Sequence, residues 1–182
     1  MRTRQPRHLI VSLTDPELFH CPFIMMFEVG NLYFDDAEAV NLRAYFMKGG
    51  FLWVDDFWGE RAWSLWESQI RKVFPSGTFS IRDVPLDHPL FHQVFTIVKI
   101  PQIPSIDFWL GTGGRTSERF DSQVPHVRAI TDDGGRVMVL MTHNTDFGDA
   151  FERESANHDY FLTFSVDGYA FGINVLVYAM TH

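Results

Sequence analysis

Two carboxylates stand side by side at Asp55-Asp56, directly after the apolar run Phe51-Leu52-Trp53-Val54. Adjacent carboxylates leaving a buried segment suffer desolvation and mutual repulsion. Something must compensate: a metal ion, an arginine, or backbone N–H groups at the start of the next helix. A second cluster, His143-Asn144-Thr145-Asp146 with Asp149 three residues on, follows the apolar run at 137–142. It brings an imidazole, an amide and two carboxylates together, and histidine is the natural acid–base near neutral pH. A third, Asp87-His88-Pro89-Leu90-Phe91-His92, spaces two histidines four apart, one helical turn, as metal ligands often are. A plainer role competes at each place. Asp55, Asp56, Asp146 or Asp149 can cap a helix, the His143 cluster can be a hydrogen-bonded loop, and His88 and His92 can pack or cap.

Several common chemistries lack their residues. There is no GxSxG elbow, no phosphate-binding P-loop and no GxGxxG after a strand. The single cysteine, Cys21, precludes an intrachain disulfide and a cysteine-based zinc site. It lies beside Pro22 in a loop, a poor place for a nucleophile. The net charge of −8 repels phosphate backbones, so nucleic acid is not an expected partner. Residues 1–8 are the exception, a basic arm with Arg2, Arg4 and Arg7, either a solvated terminus or a contact for a partner. No signal peptide is seen and no apolar stretch reaches the 18 or so residues of a membrane span, so the expected location is cytoplasmic.

The elements that must position these residues can be read from periodicity. At 182 residues, 46% of them hydrophobic and 18 of them Phe, residues 9–182 form one domain with a substantial core. Residues 8–13 read as a short buried strand and 23–27 as a second, closed by Glu28. Asp35-Asp36-Ala37-Glu38 is a capping-box pattern for a helix to Lys48 with Val40, Ala44 and Met47 on one face, ended by Gly49-Gly50. Residues 51–54 read as a strand buried on both sides. Residues 60–74 make the clearest amphipathic helix, with Trp63, Trp66, Ile70 and Val73 at helical spacing. A short strand near 79–84, a helical turn around 88–92 and long Pro- and Gly-rich loops occupy 76–125, and such loops are usually functional or mobile. Strands at 127–130 and 137–142 are joined by Asp132-Asp133-Gly134-Gly135, a hairpin-type turn. A last helix over 169–180 places Ile173, Leu176, Val177 and Met180 on one face. This order predicts a three-layer α/β domain, a largely parallel sheet with helices on both faces. In such sheets sites form beyond the carboxyl ends of the strands, where both carboxylate clusters fall.

The strings LTDPELFH, GGFLWVDDFWG, VFP, DHPLFH, PQIP, HNTDFGDAFERE and GINVLVYAMTH together resemble the bacterial family called domain of unknown function 4159, over 13–182. The resemblance implies a flavodoxin-like, class I glutamine-amidotransferase-like fold and supplies no activity. By position, the strand at 51–54 resembles the one that delivers the nucleophilic cysteine in active amidotransferases, and here it delivers Asp55 and Asp56. The strand at 137–142 resembles the one that delivers the histidine, and His143 is present. Glutamine hydrolysis through a cysteinyl intermediate is therefore not expected. Family members usually carry a further strand and helix before the segment matching 9–13, so the resemblance implies that the sheet here is smaller, or that a partner chain completes it, or that this is a short variant; family members are often exported or membrane-attached.

Three readings follow. The first is a binding domain for a small polar ligand, such as a carbohydrate. Asp55, Asp56 and His143 would form its reactive centre, and Trp58, Asn144, Asp146, Asp149 and Glu28 would contact the ligand. It requires no cofactor. The second is a hydrolase in which Asp55, Asp56, His143 and Asp146 hold a divalent metal that activates water, with His88 and His92 as an alternative metal pair. The third is a scaffold or interaction subunit that assembles through an open sheet edge.

Overall fold

The computed structural model describes residues 8–182; Arg2, Arg4 and Arg7 of the basic arm lie outside the described residues. Among the described residues five strands form one sheet: β1 (Phe23–Phe27), β2 (Phe51–Asp55), β3 (Ile81–Asp83), β4 (His126–Thr131) and β5 (Val137–His143). Their spatial order is β1-β2-β5-β4-β3. β1, β2 and β5 run parallel, whereas β4 pairs antiparallel with both β5 and β3. The sheet is thus mixed, not largely parallel. The turn at Asp132–Gly135 is the reason, because a chain reversed this tightly returns antiparallel, and this hairpin lies inside the sheet with β5 against β2. Asp132 fixes the reversal through its carboxylate, which accepts from the Gly134 and Arg136 amides at 2.9 and 3.0 Å.

The expected strand at 8–13 does not form. These residues carry no regular structure, and Leu9 and Ile10 are exposed, although Val11 and Leu13 pack against the core. An apolar run becomes a strand only when an edge accepts its amides, and β1 does not pair with this one.

Helix α1 (Asp36–Met47) begins as its sequence requires. The Asp35 carboxylate accepts from the Glu38 amide at 2.8 Å, and the Glu38 carboxylate accepts from the Asp35 amide at 2.9 Å. Its buried face differs from the expected one. Ala39, Leu42, Tyr45 and Phe46 point inward, and Val40 and Met47 are exposed. Apolar residues surround this helix almost completely, so spacing alone selects no face; packing of Ala39, Leu42, Tyr45 and Phe46 into the core sets the rotation, and it lets the Tyr45 hydroxyl donate to the Phe51 carbonyl at 3.1 Å. Helix α2 (Gly59–Val73) buries Trp66, Ile70 and Val73 as expected.

Strand alternation divides the core. Leu52, Val54, Val139 and Met141 join α1 and α2 on one side of the sheet. Phe51, Trp53 and Leu140 face the other side, against α4 (Phe147–Glu152), α6 (Val166–Thr181), Ile106 of the short α3 (Ile106–Gly111), and Leu90 and Phe91 of a 3-10 turn (Pro89–His92). Helices therefore cover both faces. Trp53 and Phe171 anchor the second side, each fully buried and 5.6 Å apart, and each side chain contributes roughly 2–3 kcal/mol of burial.

α6 continues from α5 (His158–Tyr160) through a π-helical turn, Phe161–Ser165. Over its 24 residues, His158–Thr181 is long and apolar enough to cross a membrane by length and composition, which the sequence was not expected to contain, yet 44% of its most apolar window is buried inside the domain. Phe171, Val175 and Tyr178 are its buried face, and the expected face of Ile173, Leu176 and Met180 is the exposed one.

Candidate functional site

The three parallel strands end at a common edge, and the chain leaves each through a left-handed residue. Glu28 follows β1 at φ 53°, Asp56 follows β2 at φ 54°, and Asn144 follows β5 at φ 63°. No other described residue except glycine has a positive φ. The left-handed region costs an L-residue roughly 1–2 kcal/mol, less for Asn and Asp, so three in a row along one edge must be held by their surroundings. The Glu28 amide donates to the carbonyls of Asp55 and Asp56 at 3.2 and 3.1 Å, locking two of the exits together. Backbone strain of this kind gathers where side chains must be aimed.

Beyond this edge lies a cleft of about 610 Å³. Five carboxylates reach it, from Glu28, Asp56, Glu118, Asp121 and Asp146, against two cations, Arg61 and Arg119. Trp58, Phe57 and Phe120 supply aromatic surface. Gly30 lets the strand-β1 exit approach α2 closely, since a Cβ there would sit 2.6 Å from the Ala62 Cβ. Glu28, Asp56, Trp58 and Asp146 were expected from the sequence. Glu118, Asp121 and the arginines were not. They come from a long Pro- and Gly-rich loop and from α2, and only the general tendency of such loops to carry function pointed to them.

The electrostatics follow from crowding. Burial pushes the Asp56 carboxyl up to about 6, opposed by the Trp58 indole, which donates to it at 3.0 Å, and reinforced by Glu118, Glu28 and Asp149. Burial pushes Asp146 up to about 9, with Asp56 and Asp55 adding to the effect. Asp146 also caps α4, accepting from the Asp149 amide at 2.8 Å. At neutral pH the cleft therefore holds an ionised acceptor, Asp56, and a protonated donor, Asp146.

Asp55 does different work. It is fully buried, accepts from the Thr142 hydroxyl at 2.5 Å and the Gly148 amide at 2.9 Å, and does not line the cleft. Burial pushes it up to about 7. It ties β2 to β5 and to the start of α4. Asn144 and Asp149 are likewise braces. The Asn144 side chain accepts from the Gly59 amide and donates to the Val124 carbonyl, both at 2.8 Å, while Asp149 accepts from the Ile106 amide at 2.8 Å.

His143 does not meet the carboxylates. The register pairs Val54 with Met141, so Asp55 lies beside Thr142 on one face and His143 projects from the other. Its ring packs against Phe57 and Trp63, at 4.9 and 5.3 Å. Nε2–H donates to the Gly59 carbonyl at 3.1 Å, and Nδ1 accepts from Arg128 at 3.3 Å. Burial, with Arg128 and His126 nearby, pulls it down to about 4, against the opposing Gly59 bond. Both nitrogens are engaged, so the reactive-centre role expected for Asp55 and His143 does not fit their positions.

The metal sets fare no better. Among the described residues no group of three or more His, Cys, Asp or Glu side chains converges as a metal would require. Asp55, Asp56, His143 and Asp146 are thus separated as ligands. His88 caps the 3-10 turn, accepting from the Leu90 amide at 3.2 Å, and His92 Nε2–H donates to the Leu86 carbonyl at 2.8 Å.

A family model described as Domain of unknown function (DUF4159) matches residues 1–180. No curated protein matches the chain.

Proposed function

Because the chain belongs to the DUF4159 family, whose description assigns no activity, we propose a function from the cleft itself: it binds a small, uncharged or cationic polyhydroxylated ligand, a carbohydrate being the chemical class that fits best. The observation that carries this reading is the acceptor-rich cleft at the carboxyl edge of the three parallel strands. Carboxylates accept from hydroxyl and ammonium groups, whereas a phosphate or carboxylate ligand would face four like charges, from Glu28, Asp56, Glu118 and Asp121, against two arginines. Protonated Asp146 supplies a donor to a ring or hydroxyl oxygen, Arg61 and Arg119 supply further donors, and the Trp58 region offers an apolar wall of the kind that sugar C–H faces pack on.

The test is calorimetry and thermal shift against neutral sugars, amino sugars, sugar phosphates and nucleotides. Neutral or amino sugars should bind, and phosphorylated ones should not. Asp56→Asn keeps a side chain that tolerates the left-handed backbone and removes the charge, so it should weaken binding about tenfold or more, the loss of one charge-assisted hydrogen bond. Preference for phosphorylated ligands, or affinity unchanged in Asp56→Asn, would overturn the reading.

A further inference from the structure

The outward face of the last helix carries an apolar seam. Val166, Tyr169, Ile173, Leu176 and Met180 recur at alternating intervals of three and four, and each is 36–65% exposed. This is the a/d spacing of a two-stranded coiled coil. Val166, Ile173 and Met180 take the a positions, and Tyr169 and Leu176 take the d positions. β-branched residues at a with leucine at d favour pairs over trimers. Ala170 and Val177, which flank the seam at e, are uncharged and small to medium in size. Asp167 falls at b, outside the seam.

We propose that this seam is a homodimer interface, with the α6 helices of two copies packed about a twofold axis. A twofold axis makes one apolar stripe its own complement, with the Glu154 carboxylate, which accepts from the Tyr169 hydroxyl at 2.7 Å, bordering it. The exposed parts of these five side chains amount to roughly 500 Å² per copy, so their full pairing buries at most about 1,000 Å², the least that a biological interface needs. A bilayer is the poorer occupant. The opposite side of the helix, with Phe171, Val175 and Tyr178, is built into the domain core and cannot turn toward lipid without unfolding it.

Light scattering and sedimentation equilibrium should give twice the 21.1 kDa of one chain at micromolar concentration. Ile173→Glu places a charge in the seam and should weaken the dimer about 100-fold, typical of a charge left unpaired in a buried interface. Circular dichroism checks that the variant is folded; if it is not, Met180→Glu, at the most exposed seam position, carries the same test. In the background Cys21→Ser, Ile173→Cys should crosslink between copies on oxidation and Asp167→Cys should not. A strictly monomeric wild type, a dimer that survives both Glu variants, or a monomer that floats with neutral phosphatidylcholine vesicles through this face would each overturn the proposal.

Discussion

Asp55 and Asp56 are the same residue type in adjacent positions with unlike work. The alternation of a strand sends Asp55 into the core, where Thr142 and Gly148 hold it, and the left-handed turn sends Asp56 into the cleft. Their protonation should be visible in stability. Carboxyls raised in the folded state favour folding while neutral, so stability falls as pH rises from the unfolded value near 4 through the folded one. Asp56 and Asp55, at about 6 and 7, complete this by neutrality; Asp146, at about 9, continues it. His143 acts in the opposite sense, since a base pulled down to about 4 costs stability as pH falls below 6.5. Between pH 7 and 9 the unfolding midpoint should therefore drop, and Asp146→Asn should flatten that drop; an unchanged slope would remove Asp146 as its source. Glu28→Gly probes the strain. Glycine accepts φ 53° freely but costs more chain entropy, so the net should be stabilisation of about 1 kcal/mol or less, read by urea denaturation, together with weaker ligand binding. A lower midpoint would mean that contacts of the Glu28 side chain outweigh its backbone cost.

Elements bring these residues to one edge. β1, β2 and β5 end together because the register pairs Phe23 with Phe51 and Leu52 with Val139. The start of α2 is fastened to that edge by Asn144, through Gly59, and by Asp121, which accepts from the Glu60 amide at 3.1 Å. Gly59 is held there twice over: its φ is 79°, and a Cβ would lie 2.5 Å from the Asp121 carboxylate. α1 is farther from the site and offers a clean control. Asp35→Ala removes half of its capping box and should cost about 1 kcal/mol in chemical denaturation, with ligand binding unaffected. A loss of binding would show that the cleft depends on α1 more than its geometry implies.

At the scale of the molecule, the sheet divides two cores and the two candidate surfaces are separate. The cleft lies at the carboxyl edge, whereas the α6 seam lies on the outside of the layer that covers Trp53 and Phe171. If copies pair through that seam, mass action makes the thermal midpoint rise with protein concentration. Ile173→Glu should abolish that dependence without lowering the midpoint at high dilution, where the monomer dominates.

The sequence by itself determined much that is local. Asp35 and Glu38 announced the start of α1, Trp66, Ile70 and Val73 the buried side of α2, and Asp132–Gly135 the hairpin, because caps, steep amphipathicity and turns act between near neighbours. It also placed Asp56 and Asp146 beyond strand ends. Tertiary structure decided the rest. Alternation parity separated His143 from Asp55, since a strand's side chains choose a face only once register with a neighbour is set. Packing chose the inward faces of α1 and α6, where apolar residues on nearly every side left spacing without a preference. The same packing put Glu118 and Asp121 beside Asp56, across about sixty residues of chain, a proximity that no local pattern encodes.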